Sequence, residues 1–216
     1  MGSQHRKNLI KQFFCFLKDE GFRGSGNTVR RTQNQVIHVV NAQTDKYGDG
    51  FYINLGVHLY EFDKPISKSK ANREDIDEAS CIFRKRLSPP YSQQHWQDPK
   101  DDKEVDSTLK TILSQWKAKG DPYFSSFVYP AFFQDVITGV NPRKLNSQEL
   151  LIFALISLHT GNHQSAFNFS SHIVERQGTS IFLVEKAEKV MEQAKDKGAI
   201  NPAELREQLK WSKSKP

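Results

Sequence analysis

The hydrophobic period changes once along the chain, and this change restricts the fold more than any other feature of the sequence. Between Asn27 and Leu87 apolar residues alternate with polar ones, which is the period of a β-strand. After Val105 they recur at three- and four-residue spacing, which is the period of an amphipathic helix. A first half rich in strands and a helical second half predict an α+β fold, with an antiparallel sheet backed by helices.

Four strands are predicted in the first half of the chain. They cover residues 27–33, 35–43, 51–60 and 81–87. The third alternates most cleanly, because its odd-numbered residues are apolar while its even-numbered residues include Asn54 and His58. We therefore expect this strand to bury one face and to leave the other open to solvent. Asn34 and Gln35 predict a short hairpin turn between the first two strands.

Helices are predicted at the amino terminus and throughout the second half. The first covers residues 8–20 and ends at Gly21. Later helical segments are predicted at residues 105–120, 123–137 (two short helices interrupted by Pro130), 148–160, 163–177 and 180–197, with a last one near Pro202. We expect two parts, namely an α+β domain with a four-stranded antiparallel sheet over residues 1–140 and a helical subdomain over residues 141–216.

The composition excludes the membrane-spanning and the disordered classes of protein. Hydrophobic residues make up 37% of the 216 residues and charged residues 26%, and no apolar run approaches the roughly 18 residues of a membrane helix. The amino terminus lacks the apolar stretch of a signal peptide, so we expect a cytoplasmic protein. Cys15 and Cys81 lie among apolar residues, and both are expected to be buried and unpaired in that reducing compartment.

The net charge of +6 is modest and is highest near the amino terminus. The compact basic clusters are Arg30-Arg31 and Arg84-Lys85-Arg86. Such clusters are typical either of a solvated surface or of a patch that binds phosphate. In the second case, we expect their arginines to contact a nucleic-acid backbone while Tyr52 or Tyr60 stacks on a base.

Four motifs in the first 90 residues follow one another in a distinctive order. They are a helix ending in Gly21-Phe22, a strand with Val40-Asn41-Ala42-Gln43, a strand with the sequence FYINLGV from Phe51 to Val57, and a strand with Arg84 and Arg86. In this order they resemble the bacterial domain-of-unknown-function 4304 family over about residues 8–140. The resemblance implies an α+β fold. It implies no activity, because none is agreed for the family.

The region around Gly161 resembles, more weakly, a tetratricopeptide-like helical hairpin. Small side chains at Ala154 and Ala166 would let two helices approach closely, and Gly161-Asn162 would turn the chain between them. One hairpin and part of a second do not form an array. A generic helical hairpin is therefore equally consistent with these residues.

Six polar residues share strand parity and are expected on one face of the sheet. They are Asn41, Gln43, Asn54, His58, Arg84 and Arg86. Their amides, imidazole and guanidinium groups are able to hold an anionic or peptide ligand through directed hydrogen bonds. In the alternative interpretation the amides satisfy backbone groups and the arginines pair with acids of the preceding loop, namely Glu74, Asp75, Asp77 or Glu78.

Motifs for catalysis, cofactor binding or metal binding are absent from the sequence. His159 and His163 are four residues apart, but Gly161-Asn162 interrupts the helix that metal ligation at this spacing needs. Cys81 could pair with His58 on a neighbouring strand, yet nothing marks either side chain as activated. We therefore predict no catalytic residue, no cofactor and no metal.

A non-catalytic binding protein is the hypothesis that these features favour. Its partner would be another protein, and an immunity or antitoxin role in a bacterial competition locus is one form of this hypothesis. Six aromatic residues in the second half could act as binding anchors or, as we favour, as core: Tyr123, Phe124, Phe127, Tyr129, Phe132 and Phe133. The alternatives are a nucleic-acid-associated protein and an enzyme whose site lies on the polar face of the sheet. No membrane partner is expected.

Overall fold

The computed structural model, which describes residues 4–59, 76–90 and 95–200, shows an α+β fold. The strands are β1 (Arg23–Ser25), β2 (Thr28–Gln33), β3 (Val36–Thr44), β4 (Gly50–Leu59), β5 (Phe83–Arg86) and β6 (Trp96–Gln97). The helices are α1 (Gln4–Asp19), α2 (Asp102–Gln115), α3 (Asp121–Ser125), α4 (Ala131–Ile137), α5 (Ser147–His159), α6 (His163–Val174) and α7 (Ile181–Asp196). The predicted fold class is confirmed. The segment near Pro202 and most of the loop before residue 76 lie outside the described residues.

The sheet is antiparallel and has the strand order β1-β2-β3-β4-β5, with β6 also pairing with β4. Its six strands exceed the four predicted ones, because β1 and β6 are too short to show a clear alternation. The expected turn between β2 and β3 is present. Asn34 and Gln35 have φ values of 46° and 69°, as a two-residue hairpin turn with both residues at positive φ requires.

One face of the sheet carries the main core of the amino-terminal part. Val40, Leu55 and Val57 on this face are fully buried. An aromatic cluster packs beside them, with ring centroids of Phe13, Phe22 and Phe124 each 5.8–5.9 Å from the Trp116 centroid. We call this side of the sheet the packed face.

His38 belongs to the packed face and is hydrogen-bonded there. Its Nδ1 lies 3.3 Å from a guanidinium nitrogen of Arg31, and its ring stacks on Phe124 at a centroid distance of 4.5 Å. Burial, together with the charge of Arg31, lowers the pKa of His38 to about 4. The fold therefore holds this imidazole in its neutral form.

The two cysteines differ in exposure, and one prediction is wrong. Cys81 is buried as expected, whereas Cys15 is exposed; both are free thiols. The buried residues of α1 include Leu9, Phe13 and Leu17. Cys15 is two residues from Phe13 and from Leu17, which turns it to the opposite side of a helix with 3.6 residues per turn.

Contacts group the described residues into two units, one ending at Phe127 and the other beginning at Val128. The predicted division at residue 140 stays a prediction.

In the second unit, α6 packs against both α5 and α7, and Gly161 turns the chain between α5 and α6 at a φ of 81°. Helix α5 starts with a capping box in which Asn146 and Glu149 bond each other's backbone N–H. None of the helices in the described ranges is long and apolar enough to cross a bilayer.

Half of the six aromatic residues considered as anchors are core. Phe124, Phe127 and Phe133 are buried, while Tyr123, Tyr129 and Phe132 are partly buried. Rings held in a core are not available to a partner. The three buried rings are therefore not binding anchors, whereas both interpretations stay open for the three partly buried ones.

The shifted pKa of His38 predicts a pH-dependent contribution to stability. The folded pKa of about 4 lies below the ordinary value of 6.5, so this contribution is complete above pH 6.5 and is lost as the pH falls towards 4. We expect the free energy of unfolding to fall by about 1–3 kcal/mol more in the wild type than in His38→Gln between pH 7 and pH 4. Urea denaturation at several pH values measures it. As a control, His172→Gln should follow the wild-type curve, because His172 has no arginine contact among the described residues. Parallel curves for wild type and His38→Gln would contradict the assignment.

Candidate binding face of the sheet

The strand register places all six predicted site residues on one face. The pairs across the ladders are Ile37 with His58, Asn41 with Asn54, Gln43 with Tyr52, Asn54 with Arg86, and Gly56 with Arg84. Residues that oppose each other in neighbouring strands project to the same side of a sheet. We call this side, which is opposite the packed face, the polar face.

Part of the polar face is covered, so the expectation that β4 leaves one side open is wrong over most of its length. Ile76 and Cys81 pack with Ile37 and Val39 in a small second core. His58 lies in the same half of the face and has no exposed surface. The cover includes Ile76, which lies at the end of a polar and charged stretch of sequence. The alternation along β4 did not predict the cover, because it reports only on β4 itself.

Gly56 allows the cover to approach the sheet closely. A Cβ atom at this position would lie 2.5 Å from the Sγ and 2.9 Å from the Cβ of Cys81, which is closer than carbon and sulfur atoms pack. Burial, followed by the charges of Glu78 and Asp77, raises the pKa of the Cys81 thiol well above its usual range. Cys81 is therefore a packing residue rather than an activated nucleophile.

The other half of the polar face carries a ladder of side-chain amides. Asn54 is 4% exposed, and its Nδ2 donates to Gln43 Oε1 at 3.1 Å and to Asn41 Oδ1 at 3.5 Å. Asn41 Nδ2 in turn donates to Thr28 Oγ1 at 2.9 Å and to the Asn27 carbonyl at 3.1 Å. The backbone bond that the alternative interpretation expected is thus present at Asn41. The ladder fixes the direction of each amide, while Gln43 is exposed and Asn41 is partly exposed.

The two arginines of β5 border the amide ladder. The guanidinium carbon of Arg86 lies 4.2 Å from the centroid of the Tyr52 ring, a cation–π contact that orients the side chain. Arg84 Nε is 3.7 Å from Glu78 Oε1, and burial raises the pKa of Glu78. Pairing with a loop acid therefore holds for Arg84. Glu74 and Asp75 lie outside the described residues.

Arg30 and Arg31 do not extend this group into one basic patch. Successive residues of a strand project to opposite faces, and Arg31 lies on the packed side, with its guanidinium 4.7 Å from the centroid of the Phe22 ring. Arg30 projects to the polar side, where its Nε donates to the Ile76 carbonyl of the cover. The nucleic-acid alternative stays a prediction, and Tyr60 lies outside the described residues.

Comparison with known proteins places the sheet in a family. The family described as Domain of unknown function (DUF4304) matches residues 15–126. The chain belongs to this family. The match lies within the range of about 8–140 expected from the motifs, and it includes all six strands. Neither a curated protein nor a solved structure gives a significant match.

A second group of polar residues on the DUF4304 domain was missed in the sequence. Ligand atoms of Asp45, Asp49 and His95 all lie within 4.8 Å of one another, and such oxygen and nitrogen donors are able to bind Zn²⁺ or Mn²⁺. Burial raises the pKa of Asp45, but hydrogen bonds with Asp49, Gly48 and Gly50, together with the charge of His95, hold it below its usual value. These bonds hold the loop together.

The missed group could not be read from spacing, since His95 is 46 residues away from Asp49 in sequence. Trp96, a large apolar residue in a proline-rich segment, is the one signal in the sequence that this segment packs on the core. Trp96 is 3% exposed, and its indole N–H donates to the Leu87 carbonyl at 2.8 Å. The pairing of Gly50 with Gln97 then brings His95 beside the loop between β3 and β4.

The close contact between Gly56 and Cys81 predicts strong coupling between the two positions. Gly56→Ala should lower the free energy of unfolding by about 1–3 kcal/mol, because the added methyl group overpacks the covered half of the face. In the Cys81→Ala background the same change should cost far less, because the sulfur atom that the methyl group meets is gone. A double-mutant cycle by urea denaturation measures the coupling, and additive effects would show that the cover does not lie on Gly56.

Proposed function

We propose that this DUF4304 protein is a non-catalytic, cytoplasmic binding protein whose partner is another protein. We further propose that the partner binds the uncovered half of the polar face, where Asn41, Gln43, Tyr52 and Arg86 are accessible and the buried Asn54 holds the amides in place. The observation that carries the proposal is the ladder that starts at the buried amide of Asn54 and reaches the exposed Gln43. A chain of fixed amides offers donors and acceptors in set directions, which suits recognition of a peptide backbone or polar side chains.

The charge at the border of this surface favours an acidic partner. Among the described residues, no carboxylate lies within ion-pair distance of Arg86, whose charge acts on Glu78 from further away and whose guanidinium rests on the Tyr52 ring. The guanidinium is exposed and oriented, so a carboxylate of a partner would meet a positioned fork of donors. The overall charge of +6 acts in the same direction, because it favours encounter with acidic surfaces.

The titratable groups that catalysis would need support a binding role over an enzymatic one. Burial raises the pKa of Cys81 and lowers that of His38 to about 4. A nucleophile or general base that works near neutral pH needs a pKa close to that pH. The pKa shifts of Cys81 and His38 go the other way. His58, the third candidate, lies under the cover with no exposed surface.

The compartment and the type of partner are finer parts of the proposal. Two free cysteines, one of them exposed, suit the reducing cytoplasm. An immunity or antitoxin role in a bacterial competition locus is supported by the proposed binding surface and by the absence of catalytic motifs from the sequence. The basic charge favours an acidic toxin over a basic nuclease.

Reversal of the charge at Arg86 tests the surface. The full chain is co-expressed with the products of its neighbouring genes, and a complex is sought by size-exclusion chromatography and then measured by calorimetry. Arg86→Glu should raise the Kd at least about tenfold, since an interfacial charge pair becomes repulsive. Lys100→Glu, an exposed change of equal charge outside the surface, should leave the Kd within about twofold.

Two outcomes would contradict the proposal. One is a complex that Arg86→Glu and Lys100→Glu weaken equally, which would place the interface elsewhere. The other is the absence of any complex with a neighbouring product, combined with binding to a single-stranded RNA 20-mer that weakens steeply with added salt. That second result would favour the nucleic-acid alternative.

A further inference from the structure

The hydrogen bonds of β5 show which of its backbone groups face away from the sheet. The Leu87 N–H donates to the Ile53 carbonyl at 2.9 Å. In an antiparallel ladder, alternate residues of a strand bond to the same neighbour. Lys85 therefore bonds to β4 as Leu87 does, and the N–H and C=O groups of Arg84 and Arg86 point to the other side.

That other side is an edge of the sheet. Strand β5 ends the strand order β1-β2-β3-β4-β5, and no strand of the described residues pairs with its outer side. Residues 84–86 are exposed. An edge with unpaired donors and acceptors is a template for one more strand.

The same two arginines also project their side chains to the polar face, opposite Gly56 and Asn54. A strand added beside β5 would place the residues that oppose Arg84 and Arg86 on that face too. Opposed residues have Cβ atoms about 4.5–5.5 Å apart, which is within reach of an ion pair. Acidic residues at alternate positions would thus meet both guanidiniums.

A second copy of this chain does not fit the edge. Antiparallel pairing of two β5 strands would bring the arginines of one copy against those of the other, and like charges placed opposite each other destabilise a sheet. Lysine and arginine on an edge strand are a common protection against self-association. The same charges attract an acidic strand.

We propose that the partner adds an extended segment antiparallel to β5, with acidic side chains at two alternate positions facing Arg84 and Arg86. This inference rests on the proposed function, because it names a segment of the same partner, which continues from the polar face to the edge of β5. The backbone groups of the two arginines supply the hydrogen bonds, and their side chains select the acidic residues. Arg84 turns from Glu78 to a carboxylate that is better placed than one at 3.7 Å.

A pair of N-methylated peptides tests the backbone part of the inference. The probe is the acetylated and amidated hexapeptide TEVEVT, measured against the full chain by NMR titration, with an expected Kd below about 1 mM. Methylation of both glutamate nitrogens removes the N–H groups that face Arg84 and Arg86 and should weaken binding at least about tenfold. Methylation of both valine nitrogens removes outward N–H groups and should change the Kd by less than about threefold.

Charge variants test the side-chain part in the same titration. The double variant Arg84→Glu/Arg86→Glu should abolish binding of TEVEVT and favour the lysine peptide TKVKVT instead. Lys85→Glu, on the packed side where the lysine Nζ lies 5.4 Å from the centroid of the Tyr123 ring, should weaken binding much less. Self-association of the chain through β5, detected as cross-linking between copies, would overturn the inference.

Failure of the inference differs from failure of the proposed function. If the two methylated peptides weaken equally, or if TEVEVT does not bind, strand addition at β5 is overturned. A partner complex that is still weakened by Arg86→Glu and unaffected by Lys100→Glu would then leave the polar face as the binding surface. If Arg86→Glu has no effect on the partner either, both proposals fall.

Discussion

The pairing of β3 with β4 is the constraint on which the rest of the sheet depends. It joins nine residue pairs, from Val36 with Leu59 to Thr44 with Phe51. A shift of one residue would exchange the two faces of a strand, so it would move Val40 from the core and bring Asn41 into it. Burial of apolar side chains on the packed face thus fixes the position of every polar group on the opposite face.

The polar face has a covered half and an uncovered half, and this division does not follow the boundaries between strands. Around Gly56, a short cover with Ile76 and Cys81 excludes solvent, and His58 becomes a core residue. Around Asn54 the face keeps its amides and ends at Arg86. Binding is therefore proposed for the half that the described residues leave uncovered. The free edge of β5 borders this half, and the backbone N–H and C=O groups of Arg84 and Arg86 point to that edge.

Strand parity was enough to predict which residues share a face, because alternation along a strand is a local property. It was not enough to predict exposure, since the cover on Gly56 comes from residues 20 to 25 positions away in sequence. The exposure of Cys15 was missed for a different reason, because apolar neighbours on both sides hid the helical phase that turns it outward. The proximity of Asp49 and His95 depends on the two-residue strand β6, whose pattern is too short to detect.

Amide hydrogen exchange along β5, followed by NMR on the full chain, tests the account most directly. The register predicts slow exchange at Lys85 and Leu87, whose N–H groups bond to β4. It predicts much faster exchange at Arg84 and Arg86, whose N–H groups face the open edge. Slow exchange at both arginines, or the reverse alternation, would show that β5 is paired on its outer side or that its faces are exchanged, and would contradict the account.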